Sequence, residues 1–349
     1  MNYLIDIGHP AHVHLFKNFA WEMAKKGNKV LFTLREKEHE KYLLEKYGFR
    51  YKSFGPKYKT TTGKLFGLLK FDLMEYLSAI KFKPDVFLSH GSIYAAHAAF
   101  LVNKPHISLE DSGNWEQIKL YLPFTKAVLS PDVIPENLGQ KQIRYSGYHE
   151  LAYLHPNNYN CGNVNVESGK YGIIRLVSWQ ATHDHGQKGL SKELLYKIVD
   201  LLKKEMKVYI SSEGELPQEL IEYRVKFQPQ EIHEILKNAE IVISEGATVA
   251  SEAGVLGTPT IYINSISRSY CEDEEKYGLV FNFRNGVGVY EKVKEILSMS
   301  DRKSKFYERK EKLLNNKIDV SAFLIWFVEN YPDSFRIMKE NPEYQYYFR

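Results

Sequence analysis

Three histidines crowd the first loop of the chain, His9, His12 and His14, within Gly8–Phe16, GHPAHVHLF. An imidazole with an ordinary pKa of about 6.5 is largely neutral at pH 7 and can take a proton from a hydroxyl. His12 is the expected base, with His9 as its rival; His14 lies inside the following helix and should point into the protein. Ser89-His90-Gly91-Ser92 forms a second polar group, with His90, Gly91 and Ser92 as candidates to line a cleft. The sharpest segment is 241–263, IVISEGATVASEAGVLGTPTIYI. There a buried strand ends at Ser244, and Gly246-Ala247-Thr248 open a helix. Gly246 lets a ligand approach the backbone, while Thr248 can cap the helix and donate to a phosphate oxygen. Glu252, one helical turn beyond Thr248, can accept hydrogen bonds from two vicinal hydroxyls such as a ribose presents. Arg175 or His183 could neutralise a diphosphate, and the alternative for Arg175 is a buried ion pair. His183-Asp184-His185 lacks a third metal ligand, and no Asp-x-Asp motif is present. The expectation is therefore no metal and no cofactor.

These loops need a scaffold that collects them, and the chain supplies one. Short apolar runs alternate with helical patterns: strands at 3–7, 29–34, 49–54, 86–89, 106–109 and 127–130, with helices between them. Asn157–Gly169, rich in Asn and Gly, interrupts this order. It resumes with strands at 171–177, 207–211, 241–244 and 260–263. Strands separated by helices imply parallel sheets, whose ligands bind beyond the strands' carboxyl ends. The expected architecture is α/β: two Rossmann-like, doubly wound domains, 1–155 and 170–300, with a cleft between them. Helices over 301–349 are expected to pack back across that cleft.

Composition narrows the function. The 47 basic and 43 acidic residues leave a net charge of +4, too little to mark a nucleic-acid binder. Cys161 and Cys271 form no closely spaced pair, which argues against a disulfide framework and a cysteine zinc site and suits a cytoplasmic protein. No run of 18 apolar residues occurs. The segment 57–83 mixes six lysines with Leu65, Phe66, Leu68, Leu69, Phe71, Leu73 and Met74. Such a helix either packs on a sheet with its lysines in water or rests on an anionic membrane at the inner face.

The segment 241–263 resembles the nucleotide-sugar donor motif of glycosyltransferase-B-fold enzymes. Among these are the peptidoglycan-precursor N-acetylglucosaminyltransferase and the UDP-N-acetylglucosamine 2-epimerases. The resemblance implies that Gly246, Ala247 and Thr248 face the diphosphate, that Glu252 holds the ribose, and that the loop carrying Phe227 and Gln228 cups the base. It leaves Glu245 without a role. The first loop has one Gly and three His where those enzymes carry several glycines, often with a His at the helix start. Over residues 1–290 the chain is most similar to an uncharacterised prokaryotic family of that superfamily. The similarity is carried by HVHLF, by Lys83-Pro84-Asp85 with Ser89-His90-Gly91, and by Leu256-Gly257-Thr258-Pro259. The implied activity is metal-independent transfer of a sugar from a nucleotide-diphosphate sugar to a glycan or lipid-linked acceptor, in surface polysaccharide assembly. The alternatives are a nucleotide-sugar 2-epimerase and a non-catalytic nucleotide-sugar binder.

Overall fold

A computed structural model describes residues 1–37, 39–58, 61–159, 169–177 and 189–349, with the backbone alone at 61, 62, 64 and 65. The chain begins β1 (Asn2–Ile7), α1 (Pro10–Lys25), β2 (Lys29–Glu36), α2 (Glu40–Lys46), β3 (Tyr51–Pro56), α3 (Thr61–Phe82) and β4 (Val86–His90). It continues through α4 (Ile93–Leu101), β5 (His106–Leu109), α5 (Trp115–Tyr121), β6 (Ala127–Pro131), β7 (Gln142–Tyr145) and α6 (Leu151–Leu154). The second run is β8 (Tyr171–Leu176), α7 (Lys192–Leu202), β9 (Lys207–Ser212), α8 (Ile232–Asn238), β10 (Ile241–Ser244), α9 (Ala247–Val255) and β11 (Thr260–Ile263). Then come α10 (Ser269–Lys276), β12 (Val280–Phe283), α11 (Val289–Ser298), α12 (Arg302–Asn316), α13 (Val320–Glu329) and α14 (Asp333–Glu340).

Two compact units result, Met1–Asn158 with Ile318–Arg349, and Tyr159–Lys317. Among the described residues, the first unit holds a parallel sheet in the order β3-β2-β1-β4-β5-β6-β7 and the second one in the order β12-β11-β10-β8-β9. Strands covered on both faces must be apolar nearly throughout, and Tyr3, Leu4, Ile5 and Ile7 of β1 are fully buried accordingly. Helices show one apolar stripe instead. In α1 it is Val13, Phe16, Ala20 and Met23, and in α7 Leu195, Ile198, Val199 and Leu202.

The expected terminal block at 301–349 is corrected, because it divides. Helix α12 stays with the second unit, where Arg302 pairs with buried Glu240 at 2.7 Å and Lys317 with Asp273 at 2.8 Å. From Ile318 the chain belongs to the first unit. There Ser321 Oγ donates to the Ala152 carbonyl (2.7 Å), and Gln345 accepts from the Ser146 N–H (2.6 Å).

Helix α3 buries one face and leaves a second apolar stripe exposed. Phe71, Ser78 and Ala79 are buried, yet Phe66, Leu69, Leu73, Leu77 and Ile80, spaced by three or four residues, are all at least half exposed. No helix among the described residues is long and apolar enough to cross a membrane.

Candidate functional site

The first loop is built by its histidines. His9 is the N-cap of α1, its Nδ1 accepting the Ala11 N–H at 3.2 Å, and Pro10 fills the first helical position, where no N–H is needed. His12 Nδ1 accepts the Gly8 N–H at 3.2 Å. A neutral imidazole that accepts at Nδ1 carries its proton on Nε2 and so offers a donor there. In this arrangement the Nδ1 of each ring accepts from the loop backbone, which leaves Nε2 as the atom each can turn to a substrate. His14 is buried beside Tyr47 and Tyr153, as expected.

His12 stacks on His90 with ring centroids 4.5 Å apart. His90 Nε2 lies 2.8 Å from Asp111 Oδ1, and the other carboxylate oxygen is 3.0 Å from Nδ1 of buried His149. The four residues come from the carboxyl ends of β1, β4, β5 and β7, where a parallel sheet gathers its loops. Burial opposes the charge on Asp111, but His149 and His90 outweigh it and hold the carboxyl well below its usual range. Burial likewise opposes charge on His90, and Asp111 outweighs it, so the His90 pKa is raised. His12 is pushed well below the usual imidazole range, first by burial and then by its neighbours His90 and His9. One electrostatic unit therefore contains an anion, a proton-rich imidazole and a neutral one. Asp111 and His149 were absent from the sequence reading. Asp111 follows a buried strand, the signal that selected His90, whereas His149 follows β7, which carries no strong strand pattern.

Gly91 and Ser92 serve the turn that presents His90. Gly91 has φ +58°, a left-handed conformation in which a side chain is strained and a Cβ would meet Glu110 at 3.3 Å. Ser92 caps α4 by accepting the Ala95 N–H, and its hydroxyl donates to buried Asp6, which pairs with Arg35 at 2.6 Å. Ser92 is thus a structural residue, in contrast to its expected place in a cleft lining.

In the second unit, β10 ends at Ser244, whose Oγ accepts the Gly246 N–H at 3.0 Å and donates to the Gly246 carbonyl at 2.8 Å. Gly246 is the N-cap of α9, and no side chain caps this helix, which corrects the expectation that Thr248 does so. The first-turn N–H groups of Ala247, Thr248 and Val249 have no partner within the helix and sit at its positive end. Glu252 is buried rather than open to a ribose. Its Oε1 is 3.0 Å from Nε2 of buried His233 on α8, which takes up one of the carboxylate's acceptor positions. Arg175 pairs with Glu213, whose side chain is about half exposed, so the pair is not the buried one expected, and it also donates to Ser211 at 3.1 Å. Phe227 packs edge-on against Tyr209, and Gln228 is exposed, its carbonyl accepting the Glu231 N–H. His183 lies outside the described residues.

Glu245 acquires a definite place. Its two carboxylate oxygens accept the N–H groups of Val177 (3.1 Å) and Leu190 (3.0 Å). A Cβ on Gly189 would fall 2.2 Å from Glu245 Oε1, so only glycine admits the clamp. Gly189 and Leu190 also line a cavity of about 580 Å³ with Ser191, Lys197 and Asn285.

Solved structures share this fold. S. aureus MnaA, solved with UDP, is 12% identical, covering 95% of this chain and 97% of its own, with a TM-score of 0.65. The UDP-GlcNAc 2-epimerase of Neisseria meningitidis bound to UDP-GlcNAc is 14% identical over 97% of this chain and 99% of its own, TM-score 0.62. The spinosyn rhamnosyltransferase SpnG, complexed with spinosyn aglycone, is 14% identical over 95% and 100%, TM-score 0.57. The fold is thus the glycosyltransferase-B type of two parallel-sheet α/β domains, shared by glycosyltransferases and 2-epimerases. A Methanocaldococcus jannaschii protein described as uncharacterized is 26% identical over 278 residues, 74% of this chain and 80% of that relative. Residues 1–269, well over half of the chain, match the family described as "Protein of unknown function (DUF354)", and the chain belongs to that family.

Proposed function

We propose that this protein transfers a sugar from a nucleoside-diphosphate sugar to an acceptor hydroxyl. The observation that carries the reading is the uncapped N-terminus of α9 at the carboxyl end of β10. Its unpaired N–H groups and dipole suit a diphosphate, whose charge grows as it leaves the sugar. The protein itself supplies this charge stabilisation, with no metal on the nucleotide. The first unit contributes the acceptor side: His12 donates through Nε2, and the His90–Asp111–His149 group receives the hydroxyl's proton. The apolar stripe on α3, with Lys81 and Lys83 exposed at its end, suits a lipid-linked acceptor at an anionic membrane surface. Such an acceptor would place the reaction in surface glycan assembly, on the cytoplasmic side.

A nucleotide-sugar 2-epimerase is the second reading, favoured by the higher TM-score of the Neisseria meningitidis 2-epimerase, 0.62 against 0.57 for the rhamnosyltransferase. One experiment separates the readings. The purified chain is screened by thermal shift against nucleoside diphosphates and their sugars, and the stabilising sugar nucleotide is then incubated with and without acceptor lipid vesicles. Free nucleoside diphosphate with a glycosylated lipid supports transfer. An isomerised sugar nucleotide supports epimerisation. Stabilisation without turnover leaves a nucleotide-sugar binder, and no stabilisation by any nucleotide overturns all three.

A further inference from the structure

His90 closes β4, Asp111 follows β5 by two residues and His149 follows β7 by four, so three strand ends aim nitrogen and oxygen atoms at one point. The ligating atoms of the three side chains all lie within 4.8 Å of one another. A tetrahedral divalent transition-metal site holds its ligands at about 2.0–2.2 Å, which sets them roughly 3.3 Å apart. Asp111 Oδ1 lies 2.8 Å from His90 Nε2 and Oδ2 lies 3.0 Å from His149 Nδ1, so the carboxylate stands between the two imidazoles at close to that spacing.

Two further observations point to a cation. Asp111 joins the two imidazoles through separate carboxylate oxygens, one on His90 Nε2 and the other on His149 Nδ1. The proton between a ring nitrogen and this carboxylate occupies a place that a metal ion can take. His149 Nε2 is buried with no hydrogen-bond partner among the described residues, so it can take the proton that metal binding displaces from Nδ1.

We propose that His90, Asp111 and His149 bind one divalent transition-metal ion of the zinc and iron(II) class, through His90 Nε2, an Asp111 carboxylate oxygen and His149 Nδ1. Two imidazoles among three ligands disfavour magnesium and calcium, which prefer oxygen throughout. Three protein ligands leave a position for a water or a substrate oxygen, next to the ring of His12 stacked on His90. In the sugar-transfer reading a bound ion would replace the free side chains as the group acting on the acceptor hydroxyl, lowering its pKa so that the proton leaves to solvent. The binding itself does not depend on that reading.

The test is equilibrium dialysis of the untagged, chelator-stripped full chain against Zn²⁺, with metal counted by mass spectrometry and Co²⁺ as an absorption probe. Wild type should take up one equivalent with a Kd below about 1 μM, undiminished by millimolar Mg²⁺. Asp111→Asn and His149→Gln should each weaken binding by about 100-fold and abolish the cobalt ligand-field bands. His149→Gln keeps an N–H donor for Asp111, so its circular dichroism and melting should match wild type. A folded wild type that takes up no zinc overturns the site and leaves a hydrogen-bonded triad. Zinc retained equally by wild type and both variants overturns it too, by placing the metal elsewhere. No sugar is present in this assay, so its failure leaves the transfer reading standing, and absent transfer by the zinc-loaded protein counts against transfer alone.

Discussion

Glu252 illustrates how a side chain of the right type can be occupied by its own fold. Its bond to His233 joins two buried polar groups, and removing one partner of such a pair exposes the other's desolvation cost. Glu252→Ala should destabilise the free protein by about 1–3 kcal/mol in urea unfolding, whereas Glu252→Gln, which keeps an acceptor for His233, should lose far less. An alanine variant as stable as wild type would release Glu252 from this structural role. Glu274 is a second buried carboxyl, bonded to Ser251 and raised to about 8, chiefly by burial. Because the folded pKa exceeds the unfolded one, the unfolded chain ionises first as pH rises. Stability should therefore fall from about pH 4.5 to about 8, by at most about 1.4 kcal/mol per pH unit, and level off above. Glu274→Gln should flatten that slope, and chemical denaturation at pH 5, 6.5 and 8 would show it.

At the scale of elements, α9 combines a glycine N-cap with an empty first turn. Ala247→Asp places a carboxylate at the positive end of the helix, which stabilises a helix by about 0.3–1 kcal/mol and repels a phosphate. The melting temperature should hold or rise, while affinity for the best nucleoside diphosphate in titration calorimetry falls at least about tenfold, since like charges meet in a partly desolvated site. Unchanged affinity would remove this helix from the donor site. The same strand-to-helix rule was legible in the sequence for β10 and α9, whose apolar run and following Gly246-Ala247-Thr248 bracket the turn. It was not legible for β7, because Gln142-Ile143-Arg144-Tyr145 is short and half polar, an edge strand bonded on one side only. His149 was missed with it. The strands of β5, β10 and β11 agree with the sequence reading residue for residue, because strands buried on both faces are largely apolar and are bracketed by turn residues.

Across the whole molecule, the chain leaves its first unit at Asn158 and re-enters it at Ile318. Residues 318–349 supply buried Phe323, Leu324 and Phe327 to that unit, together with the Lys26–Glu329 pair at 2.9 Å and the bonds of Asp319 to Asn157 and Asn158. Truncation after Lys317 strips this apolar surface from one unit only. Calorimetry should show the transition of the first unit lowered by well over about 10 °C or lost, given that burying each large apolar side chain contributes about 1.5–3 kcal/mol. The transition of the second unit should stay within a few degrees of its original position. Equal loss in both would contradict the partition.

The alternation of apolar runs with helical stripes determined the α/β class and the two parallel sheets, with a break over 157–169 between them, since each of these depends on neighbours within a few residues. The turn between β10 and α9 was equally readable, because glycine and small residues between a strand and a helix act through the local backbone. What the folded chain alone decided is which side chains are already engaged. His9 and His12 spend their Nδ1 lone pairs on their own loop, Glu252 meets His233, and Arg175 meets Glu213. The meeting of His90, Asp111 and His149 was likewise a tertiary decision. Those partners lie from a few to dozens of residues apart, and only strand order, which periodicity does not encode, brings the distant ones within hydrogen-bond reach.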